Sequence, residues 1–133
     1  MRNSINDSVL DLALQDFAVG NDLVFLPDFS HSFNELFKSK VYTLNEIGYC
    51  DQFDQPILRY ASTWAAKEAV YKAVKQLDNQ PLAFKNIAIT RSKIAGIPQV
   101  TLPEEYSVLE ISLSITHDGD YAFAIAIIKR KHD

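Results

Sequence analysis

The sequence predicts an α+β domain, one long helix packed on a mostly antiparallel sheet. Three observations carry that expectation. Ile57, Ala61, Trp64, Ala65, Ala69, Ala73 and Leu77 recur with the 3.6-residue period of an amphipathic helix. Residues 86–90, 99–102, 109–115 and 121–129 alternate or run apolar as strands do. Between them stand turn formers, Gly96 with Pro98 and the triplet Asp118-Gly119-Asp120.

Taken in order, residues 4–17 place Ile5, Val9, Leu12 and Ala13 at helical spacing, with Asn6 and Asp7 as caps. Residues 1–18 form an N-terminal extension, expected to be helical and carrying no motif. Residues 19–26 read as a strand with one polar interruption, Gly20-Asn21-Asp22, and Pro27 stops it. Thr43 and Glu46 have capping-box spacing, so a short helix over 44–53 follows. Pro56 suits the first turn of the long helix, expected over 57–77, which ends near Asp78-Asn79-Gln80-Pro81. No repeat, low-complexity tract or linker interrupts residues 19–133, which are read as a single domain.

Composition bounds the function. A chain of 133 residues has room for one domain with a real core. Its 47% hydrophobic and 23% charged residues are ordinary for a globular protein. A net charge of −4 argues against nucleic acid as a partner. The longest apolar run, residues 121–128, is far below the ~20 residues of a membrane helix. Asp7, Asp11 and Asp16 break any secretory pattern, so no membrane association and a cytoplasmic location are expected. Cys50, the only cysteine, excludes an internal disulfide.

Charge in the long helix points to chemistry. Glu68 and Lys72 are one turn apart, on the line of Trp64, Ala65 and Ala69, which is the side expected to be buried. They read either as an ordinary helical ion pair, worth ~0.5 kcal/mol or less, or as functional charge. Asp22 reads either as a solvent-facing residue of an alternating strand or as a ligand. His117, after Ser112-Leu113-Ser114-Ile115-Thr116, reads either as a hydrogen-bonded structural residue or as part of a site. Together, Asp22 and Glu68 offer two hard oxygen donors for magnesium, and Lys72 a cation for phosphate oxygens. That combination suits phosphoryl chemistry.

The order of these blocks resembles a known family. Gly20-x-Asp22, Tyr42-Thr43-x-x-Glu46 with Tyr49-Cys50, Trp64-Ala65-Ala66-Lys67-Glu68-Ala69-x-x-Lys72, Gly96-x-Pro98, and Ser114-Ile115-Thr116-His117 with Tyr121-Ala122 resemble the holo-acyl-carrier-protein synthases. These are small single-domain 4'-phosphopantetheinyl transferases, and the resemblance spans residues 19–128. It implies their fold and their activity in fatty acid biosynthesis: transfer of the 4'-phosphopantetheine arm of coenzyme A to a serine of an apo acyl carrier protein, with release of adenosine bisphosphate.

By the same resemblance Asp22 and Glu68 are the magnesium ligands and, with Lys72, the catalytic set. Lys72, Gly96, Pro98, Ser114, Thr116 and His117 are the coenzyme A contacts. The resemblance also implies a homotrimer with sites between protomers. It leaves the base for the serine proton open between Glu68 and a metal-bound water. The other reading is a noncatalytic module of this fold that binds coenzyme A or a carrier protein. Three residues depart from the family pattern: Asp28 stands where basic residues are common, Tyr71 where a small one is, and Asp118 follows His117.

Overall fold

The computed structural model describes residues 16–91 and 96–131. The helix expected over 4–17 lies outside them, except that Phe17 already opens the first strand. In chain order the elements are β1 (Phe17–Phe25), α1 (Leu26–Ser32), α2 (Glu35–Val41), α3 (Leu44–Asp51), α4 (Pro56–Val74), β2 (Ala88–Arg91), β3 (Pro98–Thr101), β4 (Leu109–Asp118) and β5 (Tyr121–Arg130). Two single 3₁₀ turns, Phe84–Asn86 and Glu104–Tyr106, join them. The sheets are antiparallel: β1-β5-β4, with β5 central, and the pair β2-β3.

Residue size decides how close α4 comes to the large sheet. Ala61, Ala65, Ala66, Ala69 and Ala73 of the helix are buried, as are Ala122, Ala124 and Ala126 of β5. Small side chains on both surfaces let the backbones approach. Gly20 is the extreme case, because a Cβ there would lie 2.0 Å from the Ala69 carbonyl oxygen. The β4–β5 hairpin turns at Gly119, whose φ of +56° is the left-handed region that glycine enters freely.

Thr43 and Glu46 form the expected capping box. The Glu46 N–H donates to Thr43 Oγ1 at 3.1 Å and the Thr43 N–H to Glu46 Oε1 at 2.8 Å. The long helix begins at Pro56 as expected and ends at Val74.

Two short helices were not anticipated. Pro27 ends β1, and it also sits in the first turn of α1, where its missing N–H costs nothing. Helices of seven residues are unstable alone; rings hold these. Phe33 packs on Tyr60 with centroids 4.7 Å apart, and Phe37 meets Trp64 edge to face at 5.1 Å. The strand expected from residue 86 starts at Ala88, because Phe84–Asn86 winds into a 3₁₀ turn.

On the sheet face away from α4, β1 and β5 carry exposed apolar residues: Phe17, Val19, Leu23 and Phe25 of β1 and Tyr121 and Ile127 of β5.

Candidate active site

Alternation along β1 turns Ala18, Gly20, Asp22 and Val24 toward the helix. Asp22 is therefore buried, 8% exposed, and the solvent-facing reading of it is corrected. Its position follows from Gly20. The glycine seats the strand against Ala69 and Ala73, and two residues on Asp22 faces the stretch of α4 that carries Glu68 and Lys72.

Three charged groups converge there. Lys72 Nζ lies 2.9 Å from Asp22 Oδ1 and donates to the Asn21 carbonyl at 3.1 Å. Glu68 is half-buried, and its carboxyl is pushed up to about 7. Burial is the main cause, followed by a hydrogen bond and like charge from Asp22, with Lys72 opposing. Two carboxyl groups within hydrogen-bonding reach of each other favour a shared proton or a cation. Residues forty-six apart in sequence thus meet at one point. The core-side expectation for Lys72 is corrected: half its side chain is exposed, and the ammonium reaches inward to Asp22.

Asp22 and Glu68 line one cavity of about 360 Å³, with Asp28, Phe29, Phe37 and Trp64 among its walls. The donors fit magnesium, a hard cation that takes one or two carboxylates and completes its shell with water and phosphate oxygens. Among the described residues no group of three or more His, Cys, Asp or Glu is placed to hold a metal. A cation between Asp22 and Glu68 would therefore draw its other ligands from water and substrate.

The remaining expected residues lie apart from this cluster. In register, Asp22 pairs with Ala124 and Ala124 with Ile115, so Ser114 and Thr116 project from the opposite face of the sheet and are exposed. His117 shares the Asp22 face but stands two strands away, in the row of Val24 and Ala122, and is also exposed. Gly96, with φ +60°, and Pro98 belong to the β2–β3 hairpin. Within one protomer these residues do not join Asp22 and Glu68.

Lys67, the residue before Glu68, is the fully buried cation that sequence reasoning missed. It pairs with Glu46 at 2.8 Å and donates to the carbonyls of Ile87 at 2.7 Å and Phe84 at 3.0 Å. Burial pulls its ammonium below the ordinary range, with Glu46 opposing. Glu46 Oε2 in turn accepts from the Ile89 N–H at 2.7 Å. One carboxylate thus caps α3, neutralises α4 and fixes β2. The signal was available: a capping-box glutamate has a second oxygen to satisfy.

With this geometry in view, the 4'-phosphopantetheinyl transferase superfamily profile matches residues 18–126. The chain belongs to that superfamily. Among curated relatives of this transferase, the holo-[acyl-carrier-protein] synthase of Chlamydia muridarum is 34% identical over 118 residues, 84% of this chain and 93% of the relative. The alpha subunit of a fungal fatty acid synthase, hexA of Dothistroma septosporum, is 38% identical over 110 residues, 82% of this chain but 33% of that protein. An ACPS–CoA complex from Chronobacterium ammoniagenes superposes with a TM-score of 0.75 at 27% identity, covering 89% of this chain and all of the other. The transferase fold read from the sequence is thus the fold observed.

Proposed function

We propose that this protein is a holo-[acyl-carrier-protein] synthase, which transfers 4'-phosphopantetheine from coenzyme A to a serine of an apo acyl carrier protein with magnesium at Asp22 and Glu68. The observation that carries the assignment of the site is the meeting of those two carboxyl groups, from β1 and α4, in one cavity. The relatives' names and the coenzyme-bound neighbours support the substrate pair.

The reaction asks for positioning and charge neutralisation. The serine Oγ bonds to the phosphorus that bears the pantetheine arm, the bond from that phosphorus to the bridging oxygen breaks, and adenosine bisphosphate leaves with the electron pair. Bound magnesium would polarise the diphosphate and offset its charge. Lys72, half exposed beside Asp22, is placed to contact phosphate oxygens. Glu68, which lines the same cavity, is a carboxylate able to take the serine proton. Trp64, Phe29 and Phe37 give the cavity an apolar wall beside the two carboxyl groups.

The exposed residues Ser114, Thr116 and His117 fit a coenzyme pocket completed by a second copy. The exposed apolar residues of β1 and β5 support a homotrimer whose sites lie between protomers.

Mass spectrometry of apo carrier proteins incubated with the enzyme, coenzyme A and magnesium tests the reading. One added phosphopantetheine arm is expected, and its loss in Glu68→Gln. Coenzyme binding without transfer to any carrier would instead identify a noncatalytic module.

A further inference from the structure

We propose that Lys72 is the resident counter-ion of the site: its ammonium neutralises Asp22 until a divalent cation is taken up, and Lys72 then turns to the diphosphate. The inference rests on the reading of Asp22 and Glu68 as metal ligands. The Lys72 ammonium stands 2.9 Å from Asp22 Oδ1, so a cation taking that oxygen would compete with it. A second bond, 3.1 Å to the Asn21 carbonyl, holds it there.

The two partners differ in freedom. The Asp22 side chain is 10% exposed and fixed on a strand, whereas the Lys72 side chain is 53% exposed at the end of a flexible stem. The lysine can therefore leave without repacking the core. When it leaves, an ammonium beside a carboxylate loses its partner, and an anionic diphosphate replaces that partner. Uptake of the cation and of the diphosphate is then mutually reinforcing, because each relieves what the other displaces. A cation alone must compete with Lys72 and is held more weakly.

The probe is Mn²⁺ titrated into the full-length protein without coenzyme A, with free ion read by electron paramagnetic resonance. Lys72→Met is expected to bind Mn²⁺ about fivefold tighter than wild type, the size an exposed ion pair supports. In wild type, reductive methylation of Lys72, read by peptide mass spectrometry, is expected to speed up by a similar factor when magnesium is added. Buried Lys67 is the internal standard and stays unmodified throughout. Equal or weaker Mn²⁺ binding by Lys72→Met, or unchanged methylation of Lys72, overturns the inference while leaving the metal site intact. Absence of Mn²⁺ binding in both proteins also overturns the inference, and the metal reading itself falls if Mn²⁺ still fails to bind once coenzyme A is added.

Discussion

Gly20 and Ala69 are in such close backbone contact that a side chain on the glycine would lie 2.0 Å from the Ala69 carbonyl oxygen and 2.8 Å from the Ala73 nitrogen. Neither neighbour is a side chain that can swing away. Any Cβ at position 20 must push β1 off α4, and Asp22 travels with the strand.

Gly20→Ala is therefore predicted to lose about 3 kcal/mol of stability, at the upper end of overpacking costs. It should also lower transfer activity at temperatures where it remains folded. Urea unfolding measures the first and carrier mass spectrometry the second. Gly48→Ala is the control: nothing lies within 4 Å of a Cβ there, and stability should hold or rise slightly.

The buried pair Lys67 and Glu46 predicts an asymmetry. Lys67→Met leaves the Glu46 carboxylate buried without its cation and should cost about 3–5 kcal/mol. Adding Glu46→Gln removes the stranded charge and should recover part of the loss. Denaturant melts of the single and double variants check this; a double variant as unstable as the sum of the singles would deny the coupling.

In metal-free protein burial pushes the Glu68 carboxyl up from 4.5 to about 7. A native carboxyl with a raised value stabilises the fold fully below about 4.5 and loses that contribution as pH rises through about 7. In chelator, wild type should therefore lose a few degrees of Tm between pH 5.5 and 8 relative to Glu68→Gln, roughly the shift expected for a half-buried group. A constant difference between the two proteins over that range contradicts the assignment.

The exposed apolar residues of β1 and β5 predict self-association, and the proposed homotrimer sets its number. Light scattering should give three times the 15.0 kDa chain mass for wild type. Ile127→Glu, which places charge on a residue 47% exposed in the single chain, should release lighter species. A wild-type protein of one chain mass would refute the trimer.

Some of this was legible from residue order. The period from Ile57 to Leu77 gave the long helix, and Thr43 with Glu46 gave the start of α3, because both are local patterns. The strands followed from alternation. Helices α1 and α2 were missed because rings from elsewhere in the chain hold them, and no local period records that. Asp22 stayed ambiguous for a related reason. Which face of β1 is buried depends on α4, and Gly20 alone hints at it. Lys67 was overlooked beside Glu68, since its partners are supplied by residues 46, 84 and 87.

The central claim is that Asp22 and Glu68 hold one divalent ion between them. A crystal of the protein grown with coenzyme A and Mn²⁺, measured at the manganese absorption edge, tests it most directly. A single anomalous peak is expected within about 2.2 Å of an oxygen from each carboxylate. A peak on one of them alone, or none in crystals whose protein still transfers phosphopantetheine in solution, would contradict it.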